Sequence, residues 1–465
     1  MRLSKLAAAA LCAAPSLATA NELMVVYGRA LQNDTQLQAA SYAREASLEA
    51  RPQARALLLP QLSGAYSYAQ SESDGTQQQL VPVGDVDPTT GEPVFVYSGV
   101  GYDQSASQRQ LSVILQQAIF DWGAFARLGQ SVKQLALADV TFRSAEQTLI
   151  QRTASAYFDA LAAADDLRYT VAEKASLERQ LEESMRRFEV GLSAITDVQE
   201  AQARYDSTAA QVIQAEQALE ASKLALSQIV GNNDTPLVPL QDDIPLPAPT
   251  PADVNAWVSS ALNDNFDLAA ARLQSEIAGR DIAIARAGHY PTLGLQGTYD
   301  KSDSEVDDRD GDQTDKTIAL SLNVPIFSGG LVRSQVRAAQ ATYQQRLAEQ
   351  EGSRRAVEVQ TRNAFIGVNA GAANVRALKQ AVISNQTALD ASRTGLEVGT
   401  RTSVDVLNAQ SLLFSAQRDY ARARYDYLIS ILNLKAAAGR LRARDLAEID
   451  RFLVGGLEPP AQLQP

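Results

Sequence analysis

The sequence has one cysteine, one histidine and, beyond its first residues, no apolar run approaching the ~20 residues that a membrane-spanning helix needs. The cysteine, Cys12, lies in the opening MRLSKLAAAALCAAPSLATA, where Arg2 and Lys5 precede an apolar stretch ending in Ala18-Thr19-Ala20. That layout predicts a secretory signal peptide over residues 1–20 and a mature chain starting at Asn21. Such an exported chain has no disulfide, no thiolate metal site, no cysteine nucleophile and no cysteine to carry a lipid. With His289 alone, a multi-histidine metal site is excluded and any Ser-His-Asp triad must use that residue. The balance of 42 Lys+Arg against 54 Asp+Glu, a net charge of −12, argues against nucleic acid as a partner. If the chain crosses a membrane, it does so as strands.

What is present comes twice. Ala54-Arg55-Ala56, followed by Pro60 and Leu62, recurs as Ala285-Arg286-Ala287, followed by Pro291 and Leu293. Ala118-Ile119-Phe120 with Gly123 returns as Pro325-Ile326-Phe327 with Gly330, and EVGLSAITDVQEAQ (189–202) as EVGTRTSVDVLNAQ (397–410). The spacing differs only because the stretch from Tyr68 to Leu111 is longer than that from Tyr299 to Leu320. Between the copies, PLVPLQDDIPLPAPTP holds six of the seventeen prolines and cannot be helical. The expected division is a first repeat at 21–231, a linker at 232–253, a second repeat at 254–439 and a tail at 440–465.

Within each copy the hydrophobic period changes. TIALSLNV (317–324) alternates strictly, with Ile318, Leu320, Leu322 and Val324 on one face, and similar alternation marks 62–68, 111–115 and 293–299. Two strands per copy are predicted, four in all. The rest reads as helix. Steps of three and four from Val198 reach Ala201, Tyr205, Thr208, Val212, Ala215, Leu219, Ser222, Leu226 and Ile229, and from Val406 reach Ala409, Leu413, Ala416, Tyr420, Ala423, Tyr427, Ser430, Leu434 and Ala437. These seams, rich in small residues, suit close-packed helical neighbours. Residues 123–189 and 330–397 contain no proline and would each span ~100 Å as helix. The returning helices are expected at 196–231 and 254–289.

Helices so long cannot share one globular core and must pack sideways on others. Four strands leave open edges, which cannot face lipid, so the chain is expected to oligomerise; two copies would give eight strands and three would give twelve.

The duplicated pattern, the IF-G turns, VGLSAITDVQ, VGTRTSVDVLNAQ and the ending ARYDYLISILNLKAAAG resemble the TolC family of outer membrane efflux proteins over nearly the whole mature chain. The resemblance implies an α+β membrane protein. Each chain would give four strands to a trimeric 12-stranded outer-membrane barrel, continued by a periplasmic helical coiled-coil barrel. It further implies an exit duct for drug efflux, type I protein secretion or both, with a periplasmic adaptor, an inner-membrane pump and outer-membrane lipid as partners, and no enzymatic activity or cofactor. Val190, Gly191, Leu192, Val398, Gly399 and Thr400 would form the tip turns where adaptor hairpins dock. Arg401 would link to Asp197 and Thr196 to hold the tip shut, with Gln180 taking part. Leu396 stands where the family has a tyrosine bonded to that glutamine. Asn408 replaces a second acid, so Asp405 would form a single carboxylate ring favouring cations weakly.

The segment KSDSEVDDRDGDQTDK (301–316), with seven acids, reads as a solvated outer loop; it lacks the glycine spacing and closing glutamate of an EF-hand. His289 reads as a helix-end residue near the membrane interface, and Trp122 as either an aromatic-belt or a packed core residue. Two rivals remain. A periplasmic coiled-coil adaptor or structural protein leaves the alternating strands unexplained, and a secreted enzyme lacks a constellation of nucleophile, base or metal.

Overall fold

A computed structural model of the chain describes residues 22–453 except 87, 89, 233, 234, 307 and 308. The expected signal peptide and the start at Asn21 lie outside the described residues, as do Asp307, Asp308 and the tail beyond 453. The elements run α1 (Glu22–Asn33), α2 (Thr35–Leu48), α3 (Ala50–Ala56), β1 (Gln61–Val86), β2 (Pro93–Phe120), α4 (Trp122–Glu189) and α5 (Ile195–Val230). They continue with α6 (Val254–Asp264), α7 (Phe266–Ala287), β3 (Thr292–Val306), β4 (Arg309–Asn323), α8 (Leu331–Glu397), α9 (Ser403–Ala437) and α10 (Ala443–Asp450). No described helix is long and apolar enough to cross a membrane.

The chain falls into two compact units. One comprises Leu48–Leu135 and Ser275–Gln345, the other the described residues up to Ser47, Ala136–Gln274 and Arg346 onward.

The first unit holds an antiparallel sheet in the order β1-β2-β3-β4, so β1 and β4 each pair on one side only. Its register places the alternating apolar residues of all four strands on one face. Leu62, Leu115, Gly297 and Ile318 make one row, and Leu295 pairs with Leu320 and Leu293 with Leu322 below it. Side chains on this face stand open: Leu62 is 72% exposed and Ile318 85%. From Leu293 to Tyr299 this band covers ~20 Å of strand. Tyrosines border it outward, with Arg109 over the Tyr68 ring and Lys316 over that of Tyr299. At the other end Trp122 meets Tyr290 edge to face at 6.0 Å. Both rings are about half exposed, so within one chain Trp122 is not a packed core residue. The opposite face is mainly polar: Ser63, Thr298 and Thr317 share a row with Ile114, and the next row runs through Ala65, Ser112, Asp300 and Asp315.

Two readings are corrected here. The strands expected over 62–68 and 111–115 extend much further, pairing without a break from Gln61 with Gln116 to Pro82 with Phe95 and, after a register shift, Val86 with Pro93. The acidic stretch 301–316 is likewise the outer part of the β3–β4 hairpin and not a loop, with Asp300 opposite Asp315, Asp303 opposite Asp312 and Glu305 opposite Asp310. Pairing extends where apolar alternation has ended, because backbone hydrogen bonds continue once the register is set by the apolar rows.

The second unit is helical. Buried positions of α5 include Ala201, Thr208, Val212, Ala215 and Leu226, all on the expected seam. α9 buries its seam except Tyr420 and Ser430, which are half-buried, and also Leu407, Tyr425, Leu428 and Leu432 from a second face, so it packs on two sides. Its core joins Tyr157 and Phe158 of α4 to Leu23 and Val26 of α1 and to Val238, Leu240 and Ile244 of the proline-rich stretch. That stretch is pinned: Tyr427 donates to the Pro247 carbonyl (2.7 Å), buried Arg424 donates to the Gln241 carbonyl (2.9 Å), and the Val238 N–H donates to the Tyr157 hydroxyl (3.1 Å). Burial pushes the Tyr157 hydroxyl up to about 12. The helix expected at 254–289 is interrupted at Asn265, whose side-chain oxygen caps α7 through the N–H groups of Asp267 and Leu268.

Candidate functional site: two helical turns and the contacts behind them

Two chain reversals, from α4 to α5 and from α8 to α9, are built alike. Gly191 and Gly399 take φ of +77° and +78°, a conformation that costs L side chains ~1–2 kcal/mol. At the first turn Leu192 N–H donates to the Arg187 carbonyl (2.7 Å) and Gly191 N–H to that of Phe188 (2.9 Å). Thr400 to Gly395 (2.8 Å) and Gly399 to Leu396 (3.2 Å) repeat this at the second. Each helix thus closes in a Schellman motif that satisfies its last carbonyls. The reversal leaves Val190, Leu192 and Val398 about 70% exposed, an apolar surface that local packing does not explain.

The helices that follow start differently. Thr402 caps α9 in a closed capping box: its hydroxyl accepts from Asp405 N–H (3.2 Å), while Asp405 Oδ2 accepts from the Thr402 N–H and hydroxyl, both at 2.9 Å. These bonds from Thr402, with a smaller contribution from Arg401, hold the Asp405 carboxyl below its ordinary range. At the equivalent point of α5 the cap is Ala194, which has no side-chain acceptor. Asp197 therefore has no cap partner and, among the described residues, no ion pair.

Within one chain Arg401 approaches Asp405, Nη1 to Oδ1 at 4.0 Å, and no ion pair joins it to Asp197 among the described residues. Thr196 and Asp197 lie in the first turn of α5, and Gln180 is half-buried on α4. Behind the turns Leu177 and Leu181 of α4 pack with Ala201 of α5 and Leu407 of α9, which sets the two hairpins side by side. Leu396 packs beside Leu389, Val406 and Leu413. An aliphatic residue there fills a seam.

Two features escape the sequence reading. Arg204 Nη2 of α5 donates to Asn408 Oδ1 of α9 at 2.8 Å, so an exposed cation stands one turn along α9 from Asp405. Further along, Arg418 of α9 meets the buried Glu173 of α4 at 2.7 Å and Asp166 at 3.7 Å, and Arg422 meets Asp159 at 3.0 Å. Each links residues more than two hundred positions apart, and no local pattern marks them. No group of three His, Cys, Asp or Glu that could hold a metal occurs among the described residues.

A sequence model described as "Outer membrane efflux protein" matches residues 26–232 and 257–440. The chain is 36% identical over 452 residues to "Outer membrane protein TolC" of Escherichia coli strain K12, covering 94% of this chain and 86% of that one. It is 33% identical over 440 residues to "Alkaline protease secretion protein AprF" of Pseudomonas aeruginosa, covering 94% and 88%. Among solved structures, the outer membrane protein VceC of Vibrio cholerae superposes with a TM-score of 0.70 over 90% of this chain and 96% of that one, at 21% identity, which bears on the fold.

Proposed function

Because the chain belongs to the outer membrane efflux protein family, we propose that it is the outer-membrane exit duct of export machinery for drugs, secreted proteins or both. It resides in the outer membrane and extends into the periplasm, where it works with an adaptor and an inner-membrane pump. The observation that carries this reading is the sheet: one apolar face, one polar face, an aromatic border at each end of the apolar band and two unpaired edges. A face of this kind suits lipid on one side and water on the other, and lipid forbids the free edges. Three copies joined edge to edge give a closed barrel of twelve strands around a polar lumen. The rival reading, a periplasmic coiled-coil adaptor, leaves the apolar face without a purpose.

We read the chain as a duplication, 21–231 and 254–439, joined by a linker at 232–253 and followed by a tail at 440–465. Both halves run in the same order of helix, two strands, long helix, glycine turn and helix, which supports this division. The apolar turns, Val190-Gly191-Leu192 and Val398-Gly399-Thr400, form the tip that receives the adaptor. In the closed trimer Arg401 reaches Asp197 and Thr196, with Gln180 behind them. The unengaged carboxylate of Asp197 and the exposed, distant pairing of Arg401 with Asp405 support that role. A latch of weak, solvated links suits a gate that a partner opens with a few kcal/mol of differential binding. Asp405 gives a ring of carboxylates at the constriction. None of these groups performs bond chemistry; the relatives are channel proteins, and the chain works by conduction.

The test is conductance in planar bilayers together with the mass of the purified protein. A trimer giving discrete, small, long-lived steps is expected. A correctly folded trimer without channels overturns the reading and promotes the adaptor.

A further inference from the structure

Where α7 ends and α8 begins, at the base of the sheet, Arg286, His289, Tyr290, Arg333, Val336 and Arg337 line an open concavity of about 470 Å³. The duct reading uses none of them. The close approach of the two helices, where a Cβ on Gly288 would lie 3.1 Å from Val332, fixes the walls. Arg333 and Arg337 are one turn apart on α8 and share a face. Arg286 lies in the last turn of α7, and His289 N–H and Tyr290 N–H donate to the carbonyls of Arg286 (3.0 Å) and Ala287 (2.9 Å) as that helix closes. No carboxylate pairs with any of the three arginines among the described residues, in a chain whose net charge is −12. Three unpaired guanidiniums around one hollow repel one another, and an anion relieves that repulsion.

The height of the hollow narrows the choice of anion. Tyr290 lines it and also meets Trp122 in the aromatic border, two residues before β3 starts, and the apolar band begins at Leu293. Arginine placed beside such a border sits where lipid phosphates lie. The repeated Ala-Arg-Ala motif puts Arg55 in the same situation, in the last turn of α3 just before β1. We propose that this hollow is a headgroup site that binds the phosphate of an anionic glycerophospholipid in the periplasmic leaflet. This rests on the sheet lying in the outer membrane.

The experiment titrates the purified full chain in non-ionic detergent with phosphatidylglycerol and counts bound lipid by native mass spectrometry. The wild type is set against Arg286→Gln/Arg333→Gln/Arg337→Gln. All three side chains are exposed, so their loss leaves packing intact. Apparent affinity is expected to fall on the order of 100-fold in the variant. Diacylglycerol, which lacks phosphate, should not bind. Equal binding by the variant, or by diacylglycerol, overturns the site. If inorganic phosphate binds the wild type as tightly as the lipid does, the ligand is free phosphate and the lipid assignment falls. Should the triple variant not fold, Arg337→Gln alone and a salt series on the wild type decide: affinity unchanged in that variant and between about 50 and 500 mM salt overturns the proposal. Conductance recorded on the same samples separates the two readings. Channels that persist while lipid binding is absent from the wild type overturn only this one, and a lipid-binding trimer without channels overturns only the duct.

Discussion

The contact between Arg418 and Glu173 ties α9 to α4 through one buried and one half-buried partner, so removing either side should loosen the helices to unequal degrees. Glu173 has a side chain 4% exposed and Arg418 one 23% exposed, with their atoms 2.7 Å apart. Arg418→Met strands the carboxylate in the packed seam, and breaking a buried pair in this way costs ~3–5 kcal/mol. Glu173→Gln is milder: Arg418 keeps Asp166, now 3.7 Å away and half exposed, so the loss is nearer the ~1.5–3 kcal/mol of one charged hydrogen bond. Hydrogen exchange of amides in 165–180 and 410–425 reads these as local opening energies without requiring whole-protein reversibility. Arg418→Met should accelerate exchange between about 10² and several times 10³-fold, and Glu173→Gln about 10- to 100-fold. Glu173→Leu with Arg418→Met should return to within about tenfold of wild type, because an apolar pair replaces the ionic one. The reasoning fails if the two single variants match, or if the double variant is as fast as Arg418→Met.

Arg401→Ser should raise the open probability in bilayers while leaving thermal stability unchanged, since its only ion pair among the described residues is exposed and 4.0 Å long; an unchanged open probability removes the latch. Asp405 is held below its ordinary value of 3.8 by Thr402, so the capping it provides is complete above that pH and is lost as pH falls through the lowered value. Amide exchange at 403–407 should therefore speed up only at pH below about 4, and Thr402→Ala should bring the faster exchange to neutral pH; a Thr402→Ala profile matching wild type would show that the box is not what holds the turn. Arg204→Gln removes the cation beside Asn408, and the reversal potential in a salt gradient should then shift toward stronger cation preference, whereas no shift would place Arg204 away from the conduction path.

The parts of the fold that could be read from residues alone are those with a periodic cause. The seams from Val198 and Val406 follow from burial at steps of three and four, and the turns follow from the single conformation that Gly191 and Gly399 tolerate more cheaply than other residues. The outer halves of the hairpins could not be read so. Gln77 to Gln79 and Asp310 to Asp315 carry no alternation, because both faces there are polar and only the partner strand decides the conformation. The stop at Asn265 is hidden inside a good helical pattern, since a single asparagine is tolerated in a helix and its role here depends on a distant partner, the Ala437 carbonyl that its side chain donates to (3.0 Å). Of the two turns, the glycines and exposed apolar neighbours were legible. The difference between the Thr402 and Ala194 caps became meaningful once the geometry set Asp405 inside a box and left Asp197 outside one.

The two unpaired strand edges have a consequence for how the protein comes into being. On the proposed edge-to-edge assembly a single chain is incomplete, since β1 and β4 each pair on one side only and lipid offers nothing to satisfy the other side. If copies close the barrel as proposed, insertion waits for company, and the yield of finished ducts should climb steeply with the amount of chain arriving in the periplasm. Until then each newcomer would be a strand-pairing template, open to any passing edge. A cell that starves the supply of chains should accumulate degraded monomers and not narrower barrels.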